Sequence, residues 1–513
     1  MANVQVVTVR NIARHRYLVY LIIWLCILFP GEILTVYYPV DNFTFKLITI
    51  FITVSVLYFK ISDRPVPDNK TVNISENFAL KYKRTVSRID YNELTRVCNP
   101  PHMIKRGGEG DIGLLNNSIT LQGVIILTRH GDRGPMNHVR NMADIDCSME
   151  PDQEYNGYTK FLQNIFFNMS LQFLGPFHGY PLYPPQNNCS ISQLTPIGVS
   201  QMLKLGRTLR SVYHPLLSVS NSDDIIIYST KYRRTFQSAL AFMYAILSPD
   251  VLSKVTFKES DSYSYCFDHC ACFNVNNLQM KIKQSSAKRL KSRRVVEKML
   301  KRIHNIVHLM SSSVRVDPYL LRDSIMTYVC HGAPLPCYQD DCITHENVKQ
   351  LFNYIDWDLE RYAKHGLLRK FGLLKSYGFA LNIAMNLLKM VSESKPRLVL
   401  YSGHDLTAQY LLAAFGVLNA QTMSPHYASR LVFEVYRNNT FDTTYPGRDF
   451  YFRVIFNGKD VTQSVAFCKN RAGSWTDSSI YLCPIEYAIR FIHDDYFTTF
   501  NASNYKEACG TRS

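Results

Sequence analysis

Apolar positions along this chain fall into short blocks separated by polar segments. Three blocks are aliphatic and β-branched: Gly123 to Leu127, Ile225 to Tyr228, and Arg397 to Tyr401. Each runs into a polar segment carrying His, Arg, Ser or Thr, the pattern of a buried strand ending in a loop. Helical periodicity follows two of them, over Thr235 to Leu247 and Leu406 to Phe415. Strands alternating with helices predict an α/β fold, with a core sheet flanked by helices and functional loops beyond the carboxyl ends of the strands.

Between Arg234 and His404 lies an insertion long enough for a mostly helical cap, placed at about residues 250–375. Within it, Lys281 to His304 carries ten Lys or Arg against the single Glu297. Leu290, Val296, Leu300 and Ile303 are interspersed, which predicts an amphipathic helix. Its basic face reads either as a solvated surface or as a docking surface for a sulphated or otherwise anionic glycan.

The N-terminus sets a different pattern. Arg10, Arg14 and Arg16 precede an apolar run from Tyr17 to Phe29, and a second stretch follows from Ile33 to Val40. Another run spans Leu47 to Phe59. Neither uninterrupted run alone reaches the roughly 20 residues that cross a bilayer. With flanking residues, 17–40 or 43–59 becomes long enough. Arginines on the N-terminal side predict a cytosolic N-terminus and a single-pass type II signal anchor. The expected organisation is a tail and anchor over 1–62, a lumenal stem over 63–118, and a catalytic domain over 119–513.

Composition supports a lumenal address. Of thirteen cysteines, only Cys26 lies in the apolar N-terminus; the other twelve form an even set compatible with six disulfides in an oxidising compartment. A zinc site at Cys266, Cys270 and Cys272, with His269 among them, is the alternative, but its spacing suits a zinc site poorly. Glycosylation triplets occur at Asn42, Asn73, Asn116, Asn168, Asn188, Asn438 and Asn501. The net charge of +16 favours anionic partners, and a lumenal setting makes nucleic acid an unsuitable one.

The chemistry concentrates at Thr128-Arg129-His130-Gly131-Asp132-Arg133-Gly134-Pro135. Two guanidinium groups there can each fork onto a phosphate, and a neutral imidazole between them can attack phosphorus. This segment resembles the RHGxRxP motif of the histidine acid phosphatases, a branch of the histidine phosphatase superfamily. Leu194-Thr195-Pro196-Ile197-Gly198 through Gln201, Tyr228-Ser229-Thr230 with Arg234 to Ala239, and Ser402-Gly403-His404-Asp405 match three further family segments in order. Asp144 to Cys147, the Cys266, Cys270, Cys272 cluster, the Cys330, Cys337, Cys342 series, Phe456 to Thr462 and Cys483 to Glu486 resemble the branch that acts on phosphorylated xylose.

The resemblance implies a histidine-phosphatase core with an inserted cap. It implies His130 as nucleophile through a phosphohistidine, Asp405 as proton donor, and Arg129, Arg133, Arg234 and protonated His404 as phosphate donors, with no metal or cofactor. Asp405 is expected to keep its proton through desolvation and repulsion by phosphate. Asp132 is expected to hold an arginine, while Thr195 and Gln201 start and pack a helix. The implied substrate is the 2-O-phosphate of xylose in the glycosaminoglycan linkage region of proteoglycan core proteins. The implied setting is the Golgi membrane, in the company of glycosyltransferases. A broad-specificity lysosomal or secreted acid phosphatase, and an inactive glycan-binding protein on the same fold, remain the alternatives.

Overall fold

The computed structural model describes residues 97–112, 118–149, 152–168, 171–185, 189–308, 316–439, 448–469, 475–477 and 480–510. Both apolar N-terminal runs, and Asn42, Asn73, Asn116 and Asn188, lie outside these. Among the described residues no helix is long and apolar enough to cross a membrane.

In chain order the strands are β1 (Ile119–Arg129), β2 (Ile225–Thr230), β3 (Phe257–Ser260), the short ribbon β4 (Cys337–Tyr338) and β5 (Asp341–Cys342), β6 (Leu398–Gly403), β7 (Arg430–Asn438), β8 (Phe450–Phe456), β9 (Lys459–Asp460), β10 (Trp475–Asp477) and β11 (Ile480–Pro484). The main sheet runs β10-β11-β8-β7-β1-β6-β2-β3, with β9 beside β8. One half, β1-β6-β2-β3, is parallel; β7, β8, β10 and β11 add an antiparallel half. The three sequence-predicted strands are present; β1 extends beyond its apolar run at both ends, and β2 and β6 each run two residues further into their motifs. Register pairs Arg129 with Gly403 and Ser229 with Ser402, so β1, β2 and β6 end at one level. That shared edge is where the motif residues emerge.

The longer helices are α1 (Gln153–Asn168), α2 (Pro196–Leu217), α3 (Arg233–Ile246), α4 (Phe273–Lys291), α5 (Arg294–Val307), α6 (Pro318–Cys330), α7 (His345–Ala363), α8 (Gly366–Ser392) and α9 (Asp405–Ala414). Successive strand residues point to opposite faces. Val124 and Ile126 of β1 therefore join a cluster with α2 and α3, whereas Ile125 and Leu127 join another with α8 and α9. Burying each such side chain contributes roughly 1.5–3 kcal/mol. A third cluster unites Leu300 and Ile303 of α5, Leu321 and Ile325 of α6, and Leu351 and Ile355 of α7. Helices α5, α6 and α7 thus share an apolar cluster apart from the two on the sheet faces.

Two expectations change. The basic stretch is two helices, not one: α4 ends at Lys291 and α5 starts at Arg294, with Ser292 and Arg293 between them. The break lets the apolar face of α5 turn onto α6 and α7 while α4 packs toward α8. Residues 97–112, expected in the stem, instead pack into the folded body. Cys98 is bonded to Cys330, Ile112 is fully buried, and buried Glu109 pairs with Arg430 at 2.6 Å.

The twelve described cysteines form six disulfides: Cys98–Cys330, Cys147–Cys189, Cys266–Cys270, Cys272–Cys509, Cys337–Cys342 and Cys468–Cys483. Cys266, Cys270 and Cys272 are consumed in this pairing, which excludes the zinc alternative because metal ligation needs free thiolates. Of the glycosylation triplets, Asn501 is exposed, whereas Asn438 ends β7 only 5% exposed. Asn168 is the last residue of α1.

Candidate active site

β1 delivers Arg129 at its last position and His130 immediately after it. The loop then folds tightly against the start of α2. A Cβ on Gly131 would lie 2.2 Å from the Gly198 carbonyl oxygen, and one on Gly198 would lie 2.2 Å from that of Asp132. Only two facing glycines permit this approach. Thr195 caps α2 by accepting from the Gly198 N–H at 3.1 Å, and Gln201 accepts from the Asp132 N–H at 2.7 Å. Gln201 also donates to the Cys98 and Asn99 carbonyls. Both residues start and pack the helix, as expected.

Asp132 does not hold an arginine. Its Oδ2 accepts from Thr195 Oγ1 at 2.7 Å and pairs with His331 Nε2 at 3.0 Å. The carboxylate that holds Arg133 is Asp323 on α6. It takes Arg133 in a two-pronged grip, Nη2 to Oδ1 at 2.7 Å and Nη1 to Oδ2 at 3.3 Å. A planar fork of this kind fixes orientation as well as charge. Against the cost of burial, Tyr427 and Asp323 hold the Arg133 guanidinium above its usual range.

His130 is 2% exposed, and its Nδ1 lies 2.8 Å from the Gly131 carbonyl oxygen. A carbonyl only accepts, so Nδ1 carries the proton and Nε2 keeps its lone pair. Burial pushes the imidazole pKa far down, reinforced by Arg234, Arg129 and Arg133. His130 is thus an uncharged base inside a ring of cations. Arg129 donates Nη1 to the Pro425 carbonyl at 2.7 Å, meets Asp405 at 3.2 Å through Nη2, and lies 4.3 Å from the Tyr427 ring centre. Arg234, on the first turn of α3, is pushed down to about 10 by burial and Arg133.

His404 follows β6, its ring edge-on to His130 at 5.5 Å between centres. Its Nε2 lies 2.9 Å from Thr230 Oγ1, and its Nδ1 accepts from Arg234 Nη2 at 3.3 Å. Burial and Arg234 push its pKa down to about 3. The expected protonated donor is therefore neutral here, because a cation already occupies its Nδ1 side. Asp405 differs in a related way. Partial desolvation in the cleft works against it, but Arg129, Arg133 and the Leu406 N–H at 2.8 Å hold its carboxyl below the usual range. Desolvation does not keep a proton on it; the arginines ionise it.

The site residues expected from the sequence, His130, Asp405, Arg129, Arg133, Arg234 and His404, all line one cleft of about 770 Å³. Asp323, Tyr232, Tyr263, Arg322 and the Pro425-His426 turn also line it and were not expected. Asp323 lies 190 residues from Arg133 in sequence, and nothing in its surroundings marks it.

A model of the histidine phosphatase superfamily (branch 2) matches residues 120–457. The chain belongs to that superfamily. It is accordingly a phosphatase, and the mixed α/β sheet flanked by helices is the expected architecture. Among curated proteins, 2-phosphoxylose phosphatase 1 of Xenopus tropicalis is 30% identical over 82% of this chain and 83% of its own. The Homo sapiens protein of that name is 28% identical over 80% and 85%. Lysosomal acid phosphatase of Bos taurus is 26% identical over 52% of this chain and 65% of its own.

Proposed function

We infer that this phosphatase removes the 2-O-phosphate from xylose in the glycosaminoglycan–protein linkage region, through a phosphohistidine on His130. The observation that carries the chemistry is the 2.8 Å contact of His130 Nδ1 with the Gly131 carbonyl, an acceptor, which leaves Nε2 free as the nucleophile among three arginines. The substrate reading rests on the similarity to proteins named 2-phosphoxylose phosphatase 1.

In the first step Nε2 attacks phosphorus while Arg129, Arg133 and Arg234 hold the non-bridging oxygens. The N–P bond forms, the P–O bond to the sugar breaks, and Asp405 gives its proton to the departing oxygen. Asp405 takes up that proton from solvent as substrate binds, because a phosphate dianion offsets the charge of Arg129 and Arg133, which otherwise ionise it. The same dianion favours protonation of His404, turning it into a further donor. In the second step Asp405 takes a proton from water, the water oxygen attacks phosphorus, and the N–P bond breaks to release phosphate.

The six disulfides support an oxidising lumen. With the basic, apolar N-terminus, they support a Golgi enzyme on a single N-terminal anchor. The working partners are then the phosphorylated linkage glycans on proteoglycan core proteins and neighbouring glycosyltransferases. The test is phosphate release from a 2-phosphoxylose linkage oligosaccharide beside nitrophenyl phosphate, with His130→Ala as control. Preference for the oligosaccharide, lost in the variant, is expected. Hydrolysis of the nitrophenyl ester alone would assign a general acid phosphatase, and silence of folded protein on both would assign a binding protein.

A further inference from the structure

The cleft does not end at the phosphate-binding groups. A second groove of about 580 Å³ opens beside it, lined by Met136, Tyr180, Gln193, Lys231 and Arg233, among others. The two cavities share Met136, Tyr232 and Arg234, so they meet beside the groups that would hold phosphate. Each lies in the roughly 300–1,000 Å³ range of small-molecule sites. A phosphoryl group fills little of either. The arrangement suits a phosphorylated unit at a junction, with the molecule continuing to both sides.

Tyr232 stands at that junction. Its ring is 40% exposed, it precedes the first turn of α3, and the Arg234 guanidinium packs 4.7 Å from its centre. The imidazole of His404 meets it edge-on at 5.0 Å. An aromatic ring pinned by a cation yet open to solvent is a rigid apolar platform with a polar tip. Around it, Ser192 and Gln193 offer neutral hydrogen-bonding groups, and exposed Arg233 makes no ion pair among the described residues. Four large apolar side chains that stay exposed, Met136, Tyr232, Leu320 and Leu406, line the main cleft together. Apolar ring faces flanked by hydroxyl-binding groups match the chemistry of a pyranose, which has an apolar C–H face and a hydroxyl rim.

We propose that the groove beyond Tyr232 is a carbohydrate subsite, with the Tyr232 ring stacking on the sugar joined to the phosphorylated one. Phosphate is then removed from an internal residue of an extended glycan. This deepens the proposed function and rests on its phosphoxylose reading. The test compares kcat/KM on methyl 2-phosphoxyloside with that on 2-phosphoxylose carrying two further sugars, in wild type, Tyr232→Ala, Tyr232→Phe and Gln193→Ala. Wild type is expected to gain from the extension. Tyr232→Ala should lose about tenfold more on the extended substrate than on the methyl glycoside, Tyr232→Phe should restore most of it, and Gln193→Ala, which leaves Arg234 untouched, should share the selective loss. Equal loss on both substrates would overturn the proposal by assigning Tyr232 to the support of Arg234. So would a wild-type enzyme indifferent to the extra sugars, or one that gains only from an attached peptide. Failure on both xylosides with hydrolysis of nitrophenyl phosphate would sink the phosphoxylose reading itself, a result separate from any of these.

Discussion

Arg129 engages the Pro425 carbonyl on one side and Asp405 on the other, and its charge, with that of Arg133, favours the ionised form of Asp405. The carboxylate side chain is 42% exposed, so water reaches it. That suits a group which gives a proton in one step and takes one from water in the next. Asp405→Asn is therefore expected to lower kcat by about 100-fold or more on a sugar phosphate, the lower end of what a general acid supplies. On nitrophenyl phosphate, whose leaving group needs no proton, the loss should be much smaller. Steady-state rates on the two esters decide it, and equal losses would remove Asp405 from the proton-donor role. At this scale the sequence revealed the groups that present themselves in motifs, from Arg129 to Asp405. It did not reveal their protonation. A motif does not record that Arg234 already faces His404 Nδ1, or that Asp405 is held ionised by the arginines beside it.

Helix α6 links the inserted helices to the active-site loop. Asp317 caps its start by accepting from the Tyr319 N–H at 2.9 Å, and Asp323, nearly two turns later, grips Arg133 and accepts from the Met136 N–H. The C-terminus of α6 is tied by Cys330 to Cys98. Asp323→Asn would keep the shape but lose the charge-assisted pair, worth about 1.5–3 kcal/mol. The expected outcome is a KM for phosphate esters raised about tenfold, with a smaller change in kcat, measured by steady-state kinetics. An unchanged KM would mean that the loop holds Arg133 without α6. Strands β1, β2 and β6 were legible because β-branched runs end abruptly at polar motifs. The break between α4 and α5 was not, because neither Gly nor Pro marks Ser292 and Arg293 and the basic pattern runs straight through them. Asp323 was hidden for a different reason: its partner is set by how α6 packs, which local periodicity does not encode.

At the scale of the whole molecule, four apolar clusters and six disulfides among the described residues hold a body in which several histidines are buried without charge. Burial pushes His426 down to about 4, and burial and Arg234 push His404 to about 3. In the unfolded chain both titrate near 6.5. Between those values the unfolded state binds the proton and the folded state does not, so their contribution is complete above about pH 6.5 and is lost as pH falls. The slope is about 1.4 kcal/mol per pH unit for each group. His331 works the other way: burial opposes protonation, but Asp132 raises its pKa overall, so its contribution is present at low pH and fades as pH rises. Replacing His426 by Asn isolates one term. The variant's stability, from urea unfolding at pH 6.5 and 5, should fall less steeply on acidification than that of the wild type; parallel slopes would contradict the assignment. The run of helices between β3 and β6 was readable at this scale from the long interval between Arg234 and His404. The inclusion of residues 97–112 in the body was not, since it depends on Cys98 and Glu109 finding partners more than two hundred residues away.

The most direct measurement is the identity of the covalent intermediate. The protein is mixed with a phosphate ester, quenched within a turnover into alkali, where phosphohistidine survives, and mapped by mass spectrometry. The predicted result is a phosphoryl group on His130, absent from His130→Ala, which should fold normally and release no phosphate. Active protein phosphorylated at another residue, or a His130→Ala variant that still turns over, would contradict it.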